Sequence, residues 1–232
     1  MEKNNTNRHS DCPICDRDSP IFKILSNAEL KIVRDNRIIV HFKAGEVIMK
    51  QGTQMSHVIS VNSGLAKIYL EGESHGNTIL RLVKPTNFIG GPGVYLDQLH
   101  HYTVSAMKDT SVCFVDMQVF KHLLSQNHDF SVAFMKDFSR NVISVYKRLM
   151  SLTQKQLAGR VADAILYLTE DVYENNNIIQ VNRQDLADLS AISRDSSAKI
   201  LREFQNEGII SIKNNELELL KPDTLRMISK IG

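Results

Sequence analysis

The chain has 232 residues, 42% of them hydrophobic, with 28 Lys and Arg against 26 Asp and Glu. That length suits one large domain or two ordinary ones with a sizeable core, and a net charge of +2 excludes a global field that would hold polyanions non-specifically. The polar opening MEKNNTNRHS, and the lack of any run near the ~18 apolar residues of a membrane span, predict a cytoplasmic protein with no membrane attachment.

In chain order, residues 1–20 form a polar segment holding Cys12 and Cys15. Two residues between thiolates let both sulfurs face one metal, either zinc or the iron of an iron-sulfur cluster. Such a pair can equally be two exposed thiols or half of a reversible redox switch. The odd count of three cysteines argues against a structural disulfide framework and for free, metal-bound or redox-active thiols.

Residues 21–125 read as a β domain. From about Arg37 to Phe120 short β-branched runs alternate with glycines: Ile38–Phe42, Gly45–Met49, Gly52, Val58–Val61 and Gly64–Leu70. Regular short strands with turn signals predict an all-β sandwich or roll. Cys113 lies in the run Ser111–Val115, a strand near its end, where a cysteine is usually a small core side chain.

Residues 126–155 predict one long helix. The stretch from Phe130 to Leu157 lacks Gly and Pro, and Phe134, Phe138, Val142, Val145, Leu149 and Leu152 recur at steps of three and four. That seam packs either on its own domain or on a second copy.

Residues 156–232 predict a third region. Its first helix covers Gln156 to Leu168, with Gly159 as the expected hinge, because a mid-helix glycine costs about 1 kcal/mol. Asn182 then caps a helix with Asp185 at the capping-box site and Leu186 and Leu189 on its inner face. After a break at Ser190-Ala191-Ile192, Ser193 caps a second helix whose apolar side is Ala198, Ile200, Leu201 and Phe204. Its other side carries Arg194, Asp195, Ser196, Ser197, Lys199 and Arg202. Gly208 closes it, and Ile209–Ile212 and Leu217–Leu220 around Lys213-Asn214-Asn215 read as a hairpin wing. A helix with polar groups at its N-terminal end and an apolar face behind can enter a major groove while docked on a partner helix. The predicted DNA-contacting residues are therefore Arg183, Gln184, Ser193, Arg194, Asp195, Ser196, Ser197 and Lys199. Amphipathicity alone would serve a plain helical subdomain as well.

Residue identity separates the two. Ser193-Arg194-Asp195-Ser196-Ser197-Ala198-Lys199 resembles the recognition helix of the Crp/Fnr superfamily of transcription regulators, with Asp in place of Glu after the arginine and Lys in place of Arg further on. Lys43–Ile48, Gln51-Gly52 and Val61–Ile68 look like the sensor roll of the same superfamily, in the expected order. The resemblance implies an α+β chain: a cyclic-nucleotide-binding-like β-roll (jelly roll), a long dimerisation helix, and a C-terminal winged helix-turn-helix. It further implies a homodimer with Phe134, Phe138, Val142, Val145 and Leu149 at its interface, a palindromic double-stranded DNA operator, and RNA polymerase as a partner.

The resemblance also frames the signal. Cyclic-nucleotide members follow Phe-Ile-Gly with a Glu for the ribose and then an Arg for the phosphate, whereas here Phe88-Ile89-Gly90 leads into Gly91-Pro92-Gly93 and later His101-Tyr102-Thr103. A cyclic phosphate without a guanidinium would be an uncompensated charge, so cyclic AMP is not the expected ligand. In the oxygen-sensing branch an N-terminal cysteine cluster and a cysteine late in the roll hold a [4Fe-4S] cluster. Cys12, Cys15 and Cys113 are similar in position, but the branch's further N-terminal cysteine is missing, with Asp16, Asp18, Ser19 and Ile21 in that region. An iron-sulfur cluster, zinc, haem on His and Met ligands, a thiol switch, a small molecule in the roll and no cysteine function all stay open.

No phosphate-binding loop, His-Glu-x-x-His, nucleophile elbow or dinucleotide fingerprint occurs, so no reaction is nominated and the expectation is a non-enzyme. A cyclic-nucleotide-like module or interaction adaptor without DNA binding would explain the roll and leave Ser193–Lys199 unexplained.

Overall fold

The computed structural model describes residues 19–72 and 76–232. Cys12 and Cys15 lie outside the described residues. The chain divides into two compact units at residue 143, with residues 69–81 assigned to the later one.

The first unit opens with a 3-10 turn, Phe22–Ile24, and helix α1, Asn27–Asp35. A reciprocal capping box starts α1: the Glu29 N–H donates to Ser26 Oγ at 3.3 Å, and the Ser26 N–H donates to the Glu29 carboxylate at 2.8 Å. Along the chain eight strands follow among the described residues, the end of β4 and most of β5 falling in residues 69–81: β1 (Arg37–Phe42), β2 (Val47–Met49), β3 (His57–Ser63), β4 (Ala66–Leu70), β5 (Thr78–Val83), β6 (Phe88–Ile89), β7 (Thr103–Ala106) and β8 (Thr110–Asp116). They form two four-stranded sheets, ordered β1-β8-β3-β6 and β2-β7-β4-β5. Gly64 joins β3 to β4 at φ +91°, and a Cβ there would lie 2.4 Å from the Asp109 carbonyl oxygen, so the turn demands glycine twice over.

β8 is flanked on both sides, with Cys113 opposite Ile39 of β1 and Ser60 of β3. Asp116 ends it and caps helix α2 (Met117–Gln126) by accepting from the Gln118 and Val119 N–H groups at 2.8 and 3.1 Å. The core beneath this sheet gathers Phe22, Phe88, Phe120, Phe130 and Phe134 with Cys113 and Val115. Phe88 stacks on Phe120 at 5.0 Å, and Phe134 meets Phe120 edge-on at 5.4 Å.

Helix α3, His128–Gln154, runs unbroken for 27 residues. Its apolar positions correct the predicted seam. Phe134, expected at a dimer interface, is buried in its own aromatic core, and Phe138 is half-buried 6.4 Å from it. The exposed apolar side chains are Met135, Ile143, Val145, Tyr146, Leu149 and Met150. This stripe lies about one residue step, roughly 100°, around the helix from Phe134. Both lines share one period, so periodicity alone does not tell the inward line from the outward one.

The second unit continues with α4 (Leu157–Leu166), a π-helical turn (Tyr167–Val172), β9 (Ile178–Gln180), α5 (Arg183–Ser190), α6 (Arg194–Asn206), β10 (Ile210–Lys213), β11 (Glu216–Leu219) and α7 (Pro222–Ile231). The expected hinge is displaced. The helix breaks at Lys155-Gln156, while Gly159 is buried inside α4, where a Cβ would lie 2.8 Å from the Gly232 carbonyl carbon. Its glycine serves close helix packing. The wing is three-stranded, β10-β11-β9, and turns through Asn214 and Asn215, both at positive φ, as a two-residue hairpin loop of the I′ type. Among the described residues no helix is long and apolar enough to cross a membrane.

Phe120→Ala empties the centre of the aromatic core and is expected to lower unfolding free energy by about 3–5 kcal/mol in urea titrations. A second expectation concerns Glu29, whose carboxyl is held below its ordinary value by the Ser26 side chain first, then by the Ser26 backbone and Asn127. A depressed carboxylate stabilises the fold above its unfolded pKa and loses that contribution as pH falls through its folded value. The urea midpoints of the parent and Glu29→Gln should therefore differ at neutral pH and converge in acid.

Candidate nucleic-acid interface

The two helices that carry the predicted contacts are fixed at all four ends by local chemistry. At the start of α5, Asn182 Oδ1 accepts from the Asp185 N–H at 2.6 Å, while the Asn182 side-chain amide donates back to the Asp185 carboxylate. Asp185 and Asp188 both face inward with Leu186 and Leu189. Arg183 and Gln184 face out, and Gln184 Nε2 donates to Asp188 Oδ1 at 2.7 Å. Asp188 thus holds one of the predicted contact side chains.

α5 stops at Ala191, which takes the left-handed conformation at φ +47°. The N–H groups of Ala191 and Ile192 return to the carbonyls of Asp188 and Ala187 at 3.3 and 3.2 Å, a Schellman closure usually built on glycine. Ser193 then caps α6, accepting from the Ser196 N–H at 3.1 Å and donating to Ser196 Oγ at 2.9 Å. Gly208, at φ +64°, closes α6 with the same pattern: its N–H bonds the Gln205 carbonyl at 3.0 Å, and the Ile209 N–H bonds that of Phe204 at 2.9 Å.

Arg194, Asp195, Lys199 and Arg202 are exposed on α6, and Ile200, Leu201 and Phe204 are buried behind them. Ser197 departs from the expectation. It is 1% exposed, with its hydroxyl inside the unit and no hydrogen-bond partner, so it is not available to DNA. Positions 197, 201 and 204 share one helical face, and serine is small enough to sit at the crowded start of that face. Ala198, expected in the core, is only half-buried.

The predicted sensor residues lie in the first unit. Cys113 is a free thiol, fully enclosed in the apolar cluster with Phe22, Phe88 and Phe120. Among the described residues no three His, Cys, Asp or Glu side chains stand close enough to hold a metal ion. Enclosure by aromatic and aliphatic groups is the environment of a core side chain. From Gly90 to Val104 the only fully charged side chain is Asp97, which accepts from the Leu99 N–H at 3.0 Å and pairs with His101 at 3.1 Å. Tyr102 presses its hydroxyl to within 2.8 Å of where a Gly91 Cβ would stand.

A model of the cyclic nucleotide-binding domain matches residues 39–127, and a model of the Crp-like helix-turn-helix domain matches residues 159–228, in the order of the two units described above. The chain belongs to the Crp/Fnr superfamily. It is 20% identical to the transcriptional activator protein FnrL of Cereibacter sphaeroides, with 97% of this chain and 92% of that protein covered. It is 21% identical to the transcriptional activator protein Anr of Pseudomonas protegens, over 78% of this chain and 75% of the relative. The fold matches that of a Crp/Fnr-family protein from Eubacterium rectale with a TM-score of 0.77 at 20% identity, covering 91% and 98% of the two chains. As a Crp/Fnr protein the chain is a transcription regulator with a helix-turn-helix DNA-binding domain.

Within this Crp/Fnr frame the structure brings Arg183, Gln184, Ser193, Arg194, Asp195, Ser196 and Lys199 onto two adjacent capped helices and removes Ser197 from the set. It also shows what sequence reading missed: Asp188 behind Gln184, the third wing strand β9, and α7 packed on α4. An acidic side chain inside a short amphipathic helix gives no local sign that it faces inward. Ser197→Ala is expected to leave DNA affinity within about twofold of the parent and the melting temperature unchanged or raised, because the lost hydroxyl has no partner. Arg194→Ala should instead keep the fold and weaken binding in the same fluorescence-anisotropy titration.

Proposed function

We propose that the protein is a dimeric, sequence-specific transcription regulator that reads a palindromic operator with α6 and answers to a signal other than cyclic AMP. The observation that carries this reading is the exposed Arg194, Asp195 and Lys199 on an apolar-backed helix whose first turn is free to approach a groove. An arginine there suits the O6 and N7 acceptors of guanine, and a short carboxylate can accept from cytosine N4. Arg183, Gln184, Ser193 and Ser196 border the same edge and suit positioning on phosphate and neighbouring bases.

Dimerisation is supported by the unpartnered apolar stripe of α3, where Met135, Tyr146, Leu149 and Met150 are each more than half exposed. Such a contiguous stripe is costly to leave in water, and a second copy of the same helix supplies a matching surface. A two-fold pair then carries two α6 helices to half-sites about 34 Å apart.

The loop from Gly90 to Val104 offers no guanidinium for a cyclic phosphate, so the proposed signal is redox, oxygen, nitric oxide or a small molecule of other chemistry. With Cys113 enclosed in the core, a thiol-based signal falls to Cys12 and Cys15. Whatever the effector, it needs only to favour one dimer geometry over another: ~1.4 kcal/mol changes the population ratio tenfold.

The test is selection of operators from a random DNA pool, with sedimentation of the parent and Tyr146→Glu. The expected result is an inverted repeat for the parent, a dimer that becomes monomeric in the variant, and loss of preference at one base pair per half-site for Arg194→Ala, costing about 1–3 kcal/mol. Selected sequences without two-fold symmetry, or a Tyr146→Glu protein that stays dimeric, would overturn the reading.

A further inference from the structure

The second unit contains a polar junction that the DNA-reading face does not use. Asp163 of α4 accepts hydrogen bonds from three side chains on two other parts of the unit. Its Oδ2 takes the Ser151 hydroxyl of α3 at 2.5 Å, and its Oδ1 takes Lys155 Nζ, just past the end of α3, at 2.7 Å and the Ser229 hydroxyl of α7 at 2.5 Å. Lys155 Nζ also donates to Ser229 Oγ at 3.2 Å. The Asp163 and Lys155 side chains are 20% and 26% exposed, so water competes little for the contacts. Arg148, one turn before Ser151, has Nε and Nη2 buried without a hydrogen-bond partner, and its guanidinium is pushed down by burial and drawn back up by Tyr167 and Asp163.

Resting on the dimeric operator reading above, we propose that Asp163 is a positioning residue that clamps the DNA-binding helices to the last turns of α3 and thereby sets the half-site spacing the protein accepts. The helical wheel supports this. Arg148 and Ser151 each follow two residues after Tyr146 and Leu149, about 200° round the helix, so the end of α3 shows one side to Asp163 and the opposite side to a second copy. Apolar packing alone would let α4 slide along α3 by a rotamer step. A carboxylate whose two oxygens take donors from fixed directions holds one arrangement, and any other would separate Asp163 from Lys155 Nζ in a largely enclosed site.

A purely stabilising junction and a positioning one differ in which contact matters. Ser151 ties Asp163 to the long helix, whereas Ser229 ties it to α7 inside the DNA-binding fold. The experiment uses the full chain as parent, Ser151→Ala, Asp163→Asn and Ser229→Ala. Affinities are measured for the selected palindrome, for the same palindrome with one base pair added or removed at its centre, and for an isolated half-site, with melting temperatures recorded alongside. For Ser151→Ala and Asp163→Asn the expected result is a spacing preference reduced by about tenfold with half-site affinity unchanged. Ser229→Ala should keep the parent's spacing preference even where its melting temperature falls as far. The clamp is overturned if Ser151→Ala discriminates spacing as the parent does, or if Ser151→Ala and Ser229→Ala weaken all DNAs alike. Should Asp163→Asn fail to fold, Ser151→Ala alone decides. A parent that binds no palindrome more tightly than the half-site removes the dimeric reading, and the clamp with it.

Discussion

A helix has a single circumference to divide among its neighbours, and α3 divides its own three ways. Phe130 and Phe134 complete the aromatic core of the first unit, Ser151 and Arg148 turn to the second, and Met135, Tyr146 and Leu149 are left in water. With 3.6 residues per turn these demands cannot be moved independently, since a change of phase at one end swings every other side chain with it. The absence of Gly and Pro across the helix keeps the phase fixed over 27 residues.

The recognition pair obeys a different economy. Its helices are short, eight and thirteen residues, and helices of such length hold together in water only with help from caps and packing. The chain supplies Asn182 and Ser193 at the starts and left-handed residues at the ends. The inward carboxylates of α5 extend this scheme: Asp185 is tied to the cap and Asp188 to Gln184, so negative groups near a DNA-facing surface are spent on internal hydrogen bonds. What the unit leaves exposed in the first three turns of α6 is Arg194, Lys199 and Arg202 against Asp195 and Glu203, with both of its first-turn charges, Arg194 and Asp195, at the N-terminal end.

Features written in neighbouring residues were legible in the sequence. Asn182, Ser193 and Gly208 announced their helix ends, glycines punctuated the roll, and the residue types from Ser193 to Lys199 pointed to DNA. Features decided by distant residues were not. Gly159 reads as a hinge until α7 is seen lying against it, and β9 is a three-residue strand whose only signal is its pairing with β11. Phe134 and Ser197 show a subtler failure. In each, the residue type was compatible with either face of a helix, and the choice fell to packing that no local period records. Asp163 looks like an ordinary surface acid in an amphipathic helix, and only the convergence of Ser151, Lys155 and Ser229 shows it to be a junction.

Cys113 carries a practical consequence of its place in β8. Its side chain is fully buried in the core cluster that includes Phe22, Phe88 and Phe120, in a strand flanked on both sides, so a soluble thiol reagent reaches it only when that part of the roll opens. Where closing outpaces labelling, the rate at which it is alkylated is the equilibrium for that opening multiplied by the reactivity of the exposed sulfur, so at fixed reagent and pH it tracks the opening. In a protein lacking its two N-terminal cysteines it would serve as an intrinsic gauge of sub-global unfolding, read by mass spectrometry as the labelled fraction, and any effector that tightened the roll would register as slower labelling.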